Sequence, residues 1–158
     1  MSQRNGEVTK SELVEKAALL FRERGYDHTT INDIIWSVGV SKGAFYHHFA
    51  SKEALFLAVF EASQHKIRGR ILSETASISD PWQLLVKGNY AFLKTFIDPE
   101  FRQIVARDAP SVLGWEVYRA IDAKYSTNLL KAVLKKLREA GVTKSLSVDA
   151  LTHTIAGA

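Results

Sequence analysis

Residues 29 to 55 read TTINDIIWSVGVSKGAFYHHFASKEAL, and the order of residue types in this stretch decides the fold. Thr30 is placed to cap a helix, with Asp33 three residues on to close an approximate capping box. Ile31, Ile34, Ile35 and Val38 then recur at helical spacing. Gly39 supplies a left-handed residue that stops this helix and turns the chain, and Val40 plugs the corner. Ser41 caps the next helix, whose inner face is Phe45 and Phe49 at i, i+4. Ser51 caps a third. Two short helices joined by a tight turn, each with one apolar face, form the sequence pattern of a helix-turn-helix, whose second helix enters the major groove of DNA.

The outer face of that second helix supports the same reading. Once Phe45 and Phe49 turn inward, Lys42, Gly43, Ala44, Tyr46, His47 and His48 remain outside. No acidic residue lies between Asp33 and Glu53 to repel phosphate. Lys42 falls in the first turn, where a recognition helix meets base edges, and lysine can donate to guanine O6 or N7. Gly43 and Ala44 add almost no bulk, so the helix start can lie close to the groove floor. Tyr46, His47 and His48 carry donors on rigid rings that suit phosphate oxygens. Lys52, just after the cap Ser51, adds a cation at the positive end of a helix dipole.

The run GVSKGAFYHHFASKEAL, preceded by AALLFRERGYDHTTINDI, resembles the DNA-binding segment of the tetracycline-repressor (TetR) family of bacterial transcription regulators. The resemblance is dense over about residues 10 to 60. It implies that Lys42, Gly43 and Ala44 meet bases, and that Thr30, Tyr46, His47, His48 and Lys52 meet phosphates, with Ser41 at the cap counted among the DNA-facing residues. The chain departs from the family at Ile35, where a small residue is usual, and Ile35 with Trp36 is expected to set the angle between the two helices.

Composition narrows the remaining classes. The 158 residues, 46% of them hydrophobic, suffice for one or two small packed domains. There is no cysteine, hence no disulfide framework and no thiol nucleophile, in keeping with a cytoplasmic setting. The N-terminus lacks the apolar centre of a signal peptide, and no apolar run reaches membrane-spanning length, so no membrane partner is expected. The net charge of +4 is weak evidence for nucleic acid, since residues 1–52 hold seven Lys/Arg against six Asp/Glu; the acid-free patch from Lys42 to Lys52 carries more. His47 and His48 point about 100° apart on a helix and cannot easily share one ion. His28, His65 and His153 have no ligand-spaced partner, so neither metal nor cofactor is expected.

Along the rest of the chain, residues 1–8 read as a loose arm, and Thr9 with Glu12 as a capping box opening a first helix with Leu13, Ala17, Leu20 and Phe21 inward and Gly25 at its end. A longer helix from Lys52 carries Leu55, Val59, Ala62, Lys66 and Ile71, followed by a loop at 75–79. Asp80-Pro81 starts another, with Trp82, Leu85, Val86, Asn89, Leu93, Phe96 and Ile97 on one side. Asp98-Pro99 starts a short helix broken by Pro110. A long helical pattern then runs from Ser111 to Ala140, closed by Gly141, with stripes at Leu113, Val117 and Ile121 and at Trp115, Tyr118 and Tyr125. Ser147 and Val148 open a last helix that stops at Ala158 without a cap. Family members run to about nine helices whose final two pair across a dimer axis, so the chain is read as truncated.

The expected fold is therefore all-α, with a helix-turn-helix domain at residues 1–51 and a helical effector-binding and dimerisation domain at 52–158 whose C-terminal helices are incomplete. The expected function is a homodimeric regulator, on the family pattern a repressor, released from a palindromic double-stranded operator by a small-molecule effector. Trp82, Asn89, Leu93 and Phe96, facing Trp115 and Tyr118, are the expected walls of the effector site, with Asn89 as its polar group. The rival interpretation is that these residues fill the core and Asn89 bonds a neighbouring backbone group. No phosphate-cradling glycine loop, nucleophile elbow or histidine-carboxylate metal motif points to an enzyme. A helical small-molecule-binding protein and a ligand-independent DNA-binding protein stay open as alternatives.

Overall fold

The computed structural model describes the backbone of residues 2–143 and 146–156, and among these the chain is helical with no strand. The helices are α1 (Ser2–Arg24), α2 (Ile31–Val38), α3 (Lys42–His48), α4 (Lys52–Thr75), α5 (Pro81–Ile97), α6 (Ala109–Leu113), α7 (Trp115–Asp122), α8 (Asn128–Glu139) and α9 (Val148–Ala156). Two π-helical stretches, Arg102–Asp108 and Ala123–Thr127, lead into α6 and join α7 to α8. The backbone packs as two compact units. One comprises Met1–Ser63 with Asp98–Tyr118, the other Gln64–Ile97 with Arg119–Ala158. The boundary expected between Ser51 and Lys52 on grounds of role thus differs from the division by packing, which falls within α4.

In the first unit the core is built from residues spaced for helices. Leu13, Ala17 and Phe21 of α1, Ile34 of α2, Phe45 of α3 and Leu55, Phe56, Val59 and Phe60 of α4 are all fully buried. Each such aliphatic or aromatic side chain contributes about 1.5–3 kcal/mol when removed from water. Phe56 meets Phe21 and Tyr26 edge-on, with ring centroids 5.2 and 5.0 Å apart. Helix α1 starts earlier than its sequence signals indicate: Thr9 lies inside it, and the side chain expected to cap it is outside the described residues. The π stretch packs against α1, and Ile104 and Val105 turn into the core. Pro110 does not break the chain there. It falls in the first turn of α6, directly after the π stretch, and the helix ends at Gly114 with φ +76°. The long helix expected from Ser111 therefore begins only at Trp115.

The second unit centres on Leu134 and Leu137 of α8 and Val148 of α9, with Leu85, Leu130, Val133 and Leu151 packed around them. Two stripes differ from the sequence reading. On α4 the residues facing inward after Phe60 are Ser63, Gln64, Ile67 and Ile71, while Ala62 and Lys66 are exposed. On α5 the buried positions are Ala91 and Thr95, while Trp82, Val86, Leu93 and Ile97 are exposed. The cause is that α5 is apolar around most of its circumference, so periodicity cannot select which side is inside. The N-cap at Asp80 is as expected, accepting the Gln83 N–H at 2.8 Å. Gly157 and Ala158, where a cap was looked for, lie outside the described residues.

Candidate functional site

The helix-turn-helix is assembled by local hydrogen bonds. Thr30 Oγ1 accepts the Asp33 N–H at 3.1 Å, and the Thr30 N–H donates to Asp33 Oδ2 at 2.8 Å, a complete capping box. The Thr30 hydroxyl also donates to Asp33 Oδ2 at 2.6 Å. These bonds from the Thr30 hydroxyl and amide hold the Asp33 carboxyl below its ordinary range. Gly39 adopts φ 78°, a left-handed turn, and the N–H groups of Gly39 and Val40 both donate to the Ile35 carbonyl, at 2.9 and 3.1 Å. Ser41 Oγ accepts the Ala44 N–H at 3.2 Å to start α3. Ile35 is buried as expected of a residue that sets the packing of α2, but Trp36 is 77% exposed and takes no part in it.

With Phe45 and Phe49 buried, the outer side of α3 presents Lys42, Gly43, Tyr46 and His47 to solvent, with Ala44 and His48 half-buried and Ser41 exposed at the cap. The His47 and His48 rings lie 5.1 Å apart at 74°. A Cβ added at Gly43 would meet nothing nearer than Ser41 Oγ at 3.8 Å, so the fold itself does not require glycine there.

Lys52 is placed differently from the rest of the expected DNA-facing set. Its Nζ donates to the Tyr26 carbonyl at 2.9 Å and the Thr29 carbonyl at 3.1 Å, and lies 3.9 Å from the centre of the Tyr26 ring. The same loop is gripped by Asp108, which the sequence did not single out. Asp108 Oδ2 accepts the Tyr26 N–H at 2.9 Å, and Oδ1 accepts Gln103 Nε2 at 2.8 Å. Burial raises the Asp108 pKa, opposed by the hydrogen bonds from Tyr26 and Gln103. A carboxylate and an ammonium, far apart in sequence, thus fix the turn that delivers Thr30 to the start of α2.

The second unit contains a cavity of about 460 Å³ lined by residues of α4, α5, α7, α8 and α9. Its walls include Ile71, Leu72, Leu85, Phe92, Leu130 and Val133, and its polar groups include Asp122, Ser126 and Thr127. Of the expected effector residues, Asn89 and Leu93 line it, whereas Trp82 and Phe96 do not. Asn89 Nδ2 donates to the Leu85 carbonyl at 2.8 Å, the backbone bond of the rival interpretation. Trp115 and Tyr118 are in the first unit, where they stack with ring centroids 5.3 Å apart, and Tyr118 stacks in turn on Phe60. The missed residues left one legible trace: Asp122, Ser126 and Thr127 place polar groups at i, i+4 and i+5 in the middle of an otherwise amphipathic helix.

Among the described residues no helix is long and apolar enough to cross a membrane. Comparison with known proteins agrees with the helix-turn-helix geometry. The profile of "Bacterial regulatory proteins, tetR family" matches residues 13–59, and that of "Tetracyclin repressor-like, C-terminal domain" matches residues 82–158. The Tn10 transposon protein TetC of Escherichia coli is 30% identical over 98% of this chain and 78% of its own length. IcaR of Staphylococcus aureus, a negative transcriptional regulator of a biofilm operon, is 43% identical over 47 residues, 30% of this chain and 25% of its own. The crystal structure of a TetR-family regulator from Pectobacterium atrosepticum superposes with a TM-score of 0.84 at 28% identity, covering 99% of this chain and 80% of that one. The chain belongs to the TetR family of bacterial transcription regulators, DNA-binding proteins that work through a helix-turn-helix.

Proposed function

We propose that this protein represses transcription as a homodimer on a palindromic operator and is released when a small molecule occupies the cavity of the second unit. The observation that carries the operator half of this reading is the composition of the exposed side of α3: a cation and two small residues at the helix start, three ring donors behind them, and no acid. In this reading Lys42, Gly43 and Ala44 meet base edges, and Tyr46, His47 and His48 meet phosphates. Residues 1–51 read DNA, and residues 52–158 supply the effector cavity and the dimer surface. Thr30 meets a phosphate and also acts as a strut through its committed hydroxyl proton, whereas Lys52, with two hydrogen bonds committed within the fold, acts as a strut in place of a phosphate contact. A single α3 spans too few base pairs for selectivity. Two copies on half-sites about 34–36 Å apart, or a multiple of that, would supply it.

The effector half rests on the cavity, whose volume lies in the range of ligand pockets, roughly 300–1,000 Å³, with mostly apolar walls and few polar groups. An effector acts only through its differential affinity for a conformation whose recognition helices miss the operator spacing. The test is a gel shift with duplexes from the promoter of the protein's own gene, repeated at rising salt. A palindromic fragment retained at salt that strips random duplex supports the reading. Equal loss of both complexes means that α3 does not select sequence.

A further inference from the structure

The effector cavity is chemically lopsided in a way that names what it takes. Its walls are leucine, isoleucine, valine and phenylalanine, while a cluster of acceptor groups is gathered on one short stretch, Asp122 to Thr127. The Asp122 carboxylate receives two neutral donors, Gln64 Nε2 on Oδ1 at 3.3 Å and Thr127 Oγ1 on Oδ2 at 3.2 Å. Ser126 is only 9% exposed; its hydroxyl lies near enough to favour the charged carboxylate, yet no partner meets hydrogen-bond geometry. The carbonyl oxygen of Gln64, whose side chain is 1% exposed, is also without a partner.

Among the described residues no cation is a resolved influence on this group. Burial is the main influence on Asp122 and raises its pKa; the opposing influences are the hydrogen bonds from Thr127 and Gln64 and the nearby Ser126 hydroxyl, and none is a charge. Lys136 also lines the cavity, but it stands fourteen residues further along, roughly 21 Å at 1.5 Å per residue, and is exposed. The backbone is unusual at the same place. The Asn128 N–H donates to the Ala123 carbonyl five residues back, a π turn, and such turns recur at functional sites. Helix α7 thus runs into an extra residue where Asp122 and Ser126 line the cavity, and a half-buried carboxylate is kept where an apolar side chain would cost less.

We propose that this cavity takes an amphipathic amine, its apolar body against the α4, α5 and α8 walls and its protonated nitrogen donating to the Asp122 carboxylate and the Ser126 hydroxyl. This rests on the reading of the cavity as the effector site, and narrows it. A charge-assisted hydrogen bond in a half-buried setting separates head groups by about tenfold or more in affinity.

The experiment is calorimetric titration of the intact chain with three compounds that share one body: 4-phenylbutylamine, 4-phenylbutan-1-ol and 4-phenylbutanoate. The amine is expected to bind at least about tenfold more tightly than the alcohol, with the carboxylate weakest, and Asp122→Asn is expected to remove the amine's advantage over the alcohol. The wild-type comparison decides by itself if the variant fails to fold. Equal binding of amine and alcohol, or preference for the carboxylate, overturns the amine assignment and leaves the cavity as an effector site. Failure of all three to bind overturns both.

Discussion

Lys52→Met separates the structural role of this lysine from a role on DNA. The substitution removes the ammonium while keeping an unbranched stem against the Tyr26 ring, where a thioether still packs well. Two hydrogen bonds are lost, to the carbonyls of Tyr26 and Thr29, together with the ammonium 3.9 Å from the Tyr26 ring centre. Hydrogen bonds to a charged group contribute about 1.5–3 kcal/mol each. Because one partly exposed ammonium serves both carbonyls, they do not add, and the total is about 2–3 kcal/mol. In a chain of this length, at roughly 2–4 °C per kcal/mol, that is a fall in Tm of about 4–12 °C. Circular-dichroism melting reads this directly. Fluorescence anisotropy with a labelled duplex, at several salt concentrations and well below the lowered Tm, reads the other role: a phosphate contact made by Lys52 would change the log–log salt slope by about 0.9. The expected result is a lowered Tm with the slope changed by less than about 0.3. An unchanged Tm with a slope reduced by about one would refute the strut.

Gly43→Ala is expected to stabilise the free protein by up to about 1 kcal/mol, because alanine is the better helix former and a Cβ meets nothing nearer than 3.8 Å. The same variant should bind operator at least about tenfold more weakly, since the added methyl stands between α3 and the groove floor; unchanged affinity in the anisotropy assay would place Gly43 outside the interface. Asp122→Asn tests the unbalanced carboxylate through pH. The folded-state pKa of Asp122 is raised above the ordinary range of an aspartate, so its contribution to stability is fully present below that range and is lost as pH rises through the folded pKa. Wild type should therefore lose stability relative to Asp122→Asn across that window in urea titrations, and a constant gap between the two would show that Asp122 titrates normally. Thr30→Ala removes the capping box and should cost about 1 kcal/mol by the same titrations at neutral pH, a loss that Thr30→Ser largely restores.

The parts legible in the sequence are those fixed by bonds between near neighbours. Thr30 with Asp33, the turn at Gly39, the cap at Ser41 and the start at Asp80 all depend on residues within four positions of one another. What was misplaced depended on partners far along the chain. Asp108 reaches the Tyr26 N–H across 82 residues, and nothing near it in sequence announces that bond. Ser63 and Gln64 were no part of the stripe read along α4, yet both are buried, the Ser63 hydroxyl donating to the Val59 carbonyl and the Gln64 amide to Asp122. The π turns leave no mark in composition, because they differ from α-helix only in which carbonyl each N–H reaches. Trp115 and Tyr118 were placed beside Asn89 largely on the family resemblance, whereas Tyr118 stacks on Phe60.

The most direct measurement is selection from a random double-stranded DNA library by wild-type protein and by Lys42→Ala in parallel, followed by sequencing. If α3 reads base edges, wild type enriches a palindrome with two half-sites one helical turn or a multiple apart. Lys42→Ala should then enrich the same palindrome with preference relaxed at one or two symmetric positions, a loss of about 1–3 kcal/mol of discrimination there. Contradiction would be a library with no enriched palindrome, or a Lys42→Ala profile identical to wild type at every position and merely weaker overall.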